Sequence, residues 1–174
     1  MQVSTADEAT LAGDGFQDSE HLDILMIHAL LDALYTVFST MVKLEIAPGV
    51  PIPKDDAKAR GDVSGMMVMG ADGVEGSVAL SLSMEAVVKI STSLFGKAIE
   101  APDDEAKDLV GELTNMLVGH AKAVTAEKGY DFDMRTPELF AGEGHELHHA
   151  RSGKTVLLPV TLEETEFFLE LNFG

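Results

Sequence analysis

The chain contains no cysteine among its 174 residues, which excludes disulfides, a thiolate nucleophile and a zinc site built on Cys ligands. That absence agrees with a cytoplasmic protein. Proline is sparse as well, six residues in all, and with hydrophobic residues at 45% the composition is that of a folded chain rather than a disordered one. Basic residues are the third shortage: twelve Lys and Arg face thirty Asp and Glu, for a formal charge of −18. So acidic a surface repels phosphate backbones and anionic lipid headgroups, whose binding depends on clustered Lys and Arg. Neither nucleic acid nor a membrane is therefore expected as a partner.

The first stretch, MQVSTADEATLAGDGFQDSE, has neither the basic nor the apolar region of a secretory signal, and residues 1–20 are expected to form an acidic, flexible tail. A single domain is expected over residues 21–174, a length able to bury a real core. The long apolar run LDILMIHALLDALYTVFSTMVKL raises the question of a membrane span, but His28, Asp32, Thr36, Ser39 and Lys43 recur every three or four residues and make one polar stripe. The pattern is that of an amphipathic core helix.

The period then changes. IAPGVPIP reads as extended, and DVSGMMVMG and EGSVALSLS read as strands joined by an ADGV turn. MEAVVKISTSLFG returns to helical spacing and ends on Gly96, a plausible cap. APDDEAKDLVGELTNMLVGHAKAVTAEKG is the longest helix, opened by Pro102 and an acidic first turn and closed by Lys128-Gly129. Extended YDFDMRTPELF, the polar loop AGEGHELHHARSG, and the strands KTVLLPVTL and EFFLELNF complete the chain. Setting Pro48 against Pro137 aligns two units of a helix and three extended segments, about residues 22–83 and 104–174. The expected fold class is α+β: a large mixed or antiparallel sheet with two long related helices.

Within the longest helix, Leu109, Val110, Leu113, Met116, Leu117 and Val124 share one side of the wheel, and Asp108, Glu112, Asn115, Gly119 and Lys122 share the other. Gly111 and Gly119 border or join the polar side, although glycine inside a helix costs about 1 kcal/mol relative to alanine. One reading is a bare strip on which another surface can land, around a carboxylate and a carboxamide one turn apart. The plainer reading is a solvated helix face whose glycines serve helix packing. A carboxylate and a carboxamide together can orient a water or hold a cation.

The string Asp108-x-x-x-Glu112-x-x-Asn115, with Gly119 after it and Pro137 further on, resembles the signature of the CheC/CheX/FliY phosphatases of bacterial chemotaxis. GELTNM and the hairpin GDVSGMMVMGADGVEGSVALSLS look most like the CheX branch, and the likeness runs from about residue 22 onward. The resemblance implies a CheC-like fold and a phosphatase acting on the aspartyl phosphate of a CheY-like receiver domain in two-component signalling. It implies that Glu112 engages the receiver's lysine and that Asn115 positions the attacking water. It implies no cofactor of its own, Mg²⁺ being supplied in the receiver, and a homodimer. Asp108, Gly111, Gly119 and Lys122 are expected to contact the partner, with Lys107 and Lys122 relieving local negative charge. The Pro48 register sets Asp23 and Met26 opposite Glu112 and Asn115, so the first helix lacks a second catalytic pair. A non-catalytic module that binds a receiver or another signalling protein is the alternative.

Other motifs carry less. SGKT at Ser152–Thr155 resembles the end of a nucleotide-binding loop, but His148 stands where its first glycine belongs and a strand follows. His145, His148 and His149, with Glu143 and Glu146, could ligate a metal only if their loop curled; a solvated turn is the simpler reading. Ser64 lacks the setting of a nucleophile elbow. The methionines, Met66, Met67 and Met69 among them, read as core filling.

Overall fold

In the computed structural model the described residues are 18–71, 73–151 and 153–173. The acidic tail expected over residues 1–20 lies outside the described residues as far as position 17, and positions 18–20 instead open helix α1, Asp18–Val37. Apolar residues recur along α1 at helical spacing, and Leu22, Met26, Ala29, Leu30, Ala33 and Leu34 are all buried in one core cluster. Burial of each large side chain contributes roughly 1.5–3 kcal/mol. His28, Asp32, Ser39 and Lys43 of the polar stripe are exposed and Thr36 is half-buried. By length and composition alone residues 21–42 would suffice to cross a membrane, with mean hydropathy 1.6, yet the apolar stripe of this helix packs onto a sheet. The helix continues into a π-helical turn, Phe38–Val42, which Lys43 closes in the left-handed region at φ 58°, returning its N–H to the Phe38 carbonyl. Phe38 stacks on Phe167 at 5.2 Å.

The sheet has eight strands: β1 (Ile46–Pro48), β2 (Ile52–Lys54), β3 (Val63–Ala71), β4 (Val74–Leu82), β5 (Asp133–Met134), β6 (Glu138–Ala141), β7 (Thr155–Leu162) and β8 (Thr165–Asn172). Its order is β1-β7-β8-β4-β3-β5, with β2 also on β7 and β6 also on β3, and every described pairing is antiparallel. The first extended segment of each unit is thus broken into two short strands, β1/β2 and β5/β6, whereas KTVLLPVTL keeps Pro159 within the single strand β7. The first pair edges the β7–β8 hairpin and the second edges the β3–β4 hairpin, so each half of the chain completes the sheet of the other. Helix α2, Met84–Phe95, is capped by the Ser83 side chain, which accepts from the Ala86 N–H at 3.1 Å, and ends on Gly96 at φ 69°. Helix α3, Asp104–Ala126, lies beside α1 on the same face.

Period-two alternation divides the strands between two environments. Val63, Met67 and Met69 of β3, Val78, Leu80 and Leu82 of β4, and Phe167, Leu169 and Leu171 of β8 enter the core under the helices. The opposite face is polar: Ser64, Ser77, Ser81, Glu170 and Asn172 are buried there, and the segment 142–151 covers Ser64, Ser77 and Glu170 through His145 and His149. Leu147 plugs that cover against Met66 and Ala79. Glu170 accepts from Lys54 Nζ at 2.7 Å, both side chains essentially inaccessible, a pairing that offsets a desolvation cost which would otherwise be prohibitive for either charge.

Candidate functional site

Helix α3 begins where its sequence allows a cap. Asp103, rather than Pro102, holds the N-terminus: its carboxylate accepts from the Ala106 N–H at 3.2 Å, and Asp104 and Glu105 add negative charge to the first turn, where the helix dipole favours it. Leu109, Val110, Leu113 and Leu117 are buried as the wheel requires, while Met116 and Val124 are half-buried. The helix lies very close to the sheet because Gly65 of β3 lacks a side chain: a Cβ there would come within 2.5 Å of Thr114 Oγ1.

The expected partner strip is only partly assembled. Asp108, Glu112 and Asn115 are exposed in a row along α3, and Gly119, half-buried, meets nothing closer than Met134 Cε at 4.0 Å. Gly111 is different. It is buried, and a Cβ on it would stand 3.1 Å from Leu139 Cδ2 of β6. The conformational cost of that glycine therefore obtains close packing of α3 against β6 and no landing surface, which corrects the expectation that Gly111 meets a partner. Lys122 is half-buried and stands 4.0 Å from Asp131, whose own carboxylate is almost fully exposed, a loose pair in which the lysine keeps its freedom.

Glu112 and Asn115 are one turn apart, a spacing that brings Cβ atoms to about 5–6 Å on one helix face. The carboxylate only accepts hydrogen bonds, whereas the carboxamide both donates and accepts. Together they can grip a cationic group and a water. His120, further along α3, is occupied elsewhere: its Nε2–H donates to Asp32 of α1 at 2.8 Å, tying the two helices together.

Helix α1 offers no second copy of the pair, and the structure alters the register in which that statement is made. Met26 is fully buried while Asn115 is exposed, so the two are not equivalent. The buried residues Leu22, Met26, Ala29, Leu30, Ala33 and Val37 match Val110, Thr114, Leu117, Val118, Ala121 and Thr125 at a constant offset of 88. Ile24, 56% exposed, and half-buried Ile27 then stand where Glu112 and Asn115 stand. The one-residue difference from the proline register lies between helix and proline, where the second unit (Thr125 to Pro137) is one residue longer than the first (Val37 to Pro48).

The histidine-bearing loop diverges. His145 turns inward, Nε2 to Ser64 Oγ and Nδ1 to the Gly142 carbonyl, both at 2.7 Å. His149 turns inward at a second place, Nδ1 to Ser77 Oγ at 2.7 Å and Nε2 to Glu170 at 3.3 Å. His148 faces solvent beside Glu146 at 3.0 Å. Among the described residues no three His, Asp or Glu side chains are arranged to hold a metal. Ser64 is buried and joined to Ser81 at 2.7 Å. Ser152 of the SGKT string lies outside the described residues, and Thr155 opens strand β7 rather than a helix. Outside this loop Asp56 is clamped by Arg60 at 2.9 and 3.0 Å, and the guanidinium holds its carboxyl below the usual carboxylate range.

One feature beside Glu112 is not visible on the helical wheel. A groove of about 530 Å³ runs between the π-helical turn, the end of α2 and α3, lined by Met41, Phe95 and Met116 on its apolar side and by Asp108 and Glu112 at its rim. Phe95 is 64% exposed and Met41 51%. An aromatic immediately before a helix-ending glycine is the signal that could have pointed to it.

Residues 63–161 match the family described as chemotaxis phosphatase CheX. The CheY-P phosphatase CheX of Thermotoga maritima is 25% identical over 154 residues, covering 87% of this chain and 97% of that protein. A CheC-like superfamily protein from Shewanella sp. PV-4 superposes with a TM-score of 0.80 at 36% identity, covering 87% of this chain and 98% of that one. CheX in the CheX-CheY-BeF3-Mg²⁺ complex from Borrelia burgdorferi superposes with a TM-score of 0.66 at 26% identity, over 85% of this chain and 96% of that one. With over half of its length matched by the family and a CheC-like relative aligned along 87% of it, the chain belongs to the CheX family of chemotaxis phosphatases.

Proposed function

We propose that this protein hydrolyses the aspartyl phosphate of a CheY-like receiver domain, with Asn115 holding a water in line with the phosphoryl group and Glu112 engaging the receiver's active-site lysine. The observation that carries the reading is the pair itself: an exposed carboxylate and an exposed carboxamide one turn apart on a rigid helix whose other side is core. An acyl phosphate is already activated, and Mg²⁺ arrives with the receiver, so the chemistry still needed is a positioned water. A carboxamide suits that role because it orients water without adding negative charge beside the phosphoryl group. The known complex of a relative with CheY, BeF3 and Mg²⁺ supports the choice of partner and the source of the metal. Such a substrate belongs to cytoplasmic two-component signalling.

The reading includes a homodimer joined at sheet edges. Val50 and Ile52, 76% and 47% exposed beside the β1/β2 edge, favour it, because an exposed apolar edge invites pairing. The deciding experiment follows loss of phosphate from a set of phosphorylated receivers with the wild type, Glu112→Ala and Asn115→Ala. Acceleration that collapses in Asn115→Ala supports water positioning. Tight binding without acceleration would make the protein a receiver-binding module instead.

A further inference from the structure

The groove beside Glu112 is built from parts that core packing does not explain. The π-helical turn carries Met41 out of the α1 stripe, and Gly96, at φ 69° with open space around it, ends α2 directly after Phe95. Two large apolar side chains more than half exposed face one depression on a chain of formal charge −18. Met116 continues the apolar floor on α3. The rim is one-sided: Glu105, Asp108 and Glu112 from α3 meet Lys97 alone. Three carboxylates around an apolar trough make a socket for an apolar side chain that has a lysine or arginine beside it.

We propose that this groove is a docking site for the phosphorylated receiver, taking one apolar anchor residue flanked by a basic one, and that it determines which receiver is engaged. The inference rests on the functional reading above, since Glu112 lines both the groove and the catalytic pair, so an occupant of one lies within the footprint of the other. A second copy of this chain fits the socket less well, because it would bring a further −18 against an acidic rim. Division of labour follows: Asn115 acts on the transition state, and Met41 and Phe95 contribute affinity that is the same before and during the reaction.

The test measures kcat and KM for the cognate phosphorylated receiver with full-length Met41→Ser, Phe95→Ser and Asn115→Ala proteins. Phe95→Ser and Met41→Ser are each expected to raise KM at least about tenfold, as loss of an interface anchor does, with kcat within about twofold; Asn115→Ala is expected to lower kcat with KM little changed. Glu105→Lys should raise KM more at low than at high ionic strength. Unchanged KM in both Met41→Ser and Phe95→Ser, with wild-type turnover intact, overturns the groove and leaves the phosphatase reading standing. If instead the wild type accelerates no receiver, binding to a beryllofluoride-loaded receiver is the readout. Affinity lost in Phe95→Ser then upholds the groove without the catalysis, and affinity retained overturns it. Sedimentation gives the remaining outcome: a dimer that dissociates in Phe95→Ser with KM unchanged assigns the groove to self-association and overturns the proposal.

Discussion

Helices α1 and α3 rest on the same face of one sheet and bury matching residues at a constant offset, yet at the matching outward positions only α3 carries a carboxylate and a carboxamide. Where α3 exposes Glu112 and Asn115, α1 carries Ile24 and Ile27. Where α3 borders the groove made with α2 and the π-helical turn, no residue of α1 lines it. A buried helix face is held by volume and transfer energy, and the two helices satisfy those demands alike. The outward face is under no such demand, so function is free to differ there without disturbing the fold.

Four measurements break or sharpen that contrast. Asn115→Ala should lower the dephosphorylation rate by a factor of about 10² to 10⁴, the scale of a positioned water, while thermal unfolding moves by no more than about 0.5 kcal/mol. Met26→Ala should do the reverse. It opens a cavity in the core beneath α1, costing about 2–5 kcal/mol in denaturant unfolding and leaving turnover of the folded fraction intact. Third, a double-mutant cycle on Asp32→Asn and His120→Gln should give a coupling of about 0.2–1 kcal/mol that fades with added salt, because the pair joining the helices is largely exposed. A larger coupling would mean that the helices are yoked electrostatically as well as through the core. Last, Ile24→Glu with Ile27→Asn, placed in the Asn115→Ala background, should restore no activity. Recovery would show that a Glu-x-x-Asn pair suffices on any exposed helix and that the groove is dispensable.

The family and the fold class were legible because their signals are local. The ADGV turn between two alternating strands produces the β3–β4 hairpin, Gly96 ends α2, and the acidic opening of α3 marks its cap within two residues. The exposure of Glu112 and Asn115 follows from period alone. What was not legible depends on contacts between distant segments. Gly111 lies toward the polar side of a wheel, but only the return of β6 over α3 brings Leu139 against it. The proline register missed the helix register by one residue because the connection from helix to proline is one residue longer after α3 than after α1, and loop length carries no periodic signal. The groove needs Met41, Phe95 and Met116, separated by tens of residues, and no pairwise spacing announces it. Similarly, His145 and His149 look like potential ligands in sequence, and the serines that occupy them lie on strands β3 and β4.

The missing side chain at Gly65 sets the altitude of α3 above the sheet. Any larger residue there would lift the helix as a shim lifts a beam, and the tip of Asn115 would travel with it. On the proposed reading, reach into a partner's cleft is thereby adjustable from below, by a strand residue beneath the helix. A lineage could retune its fit to a deeper or shallower receiver without altering a single letter of the exposed motif.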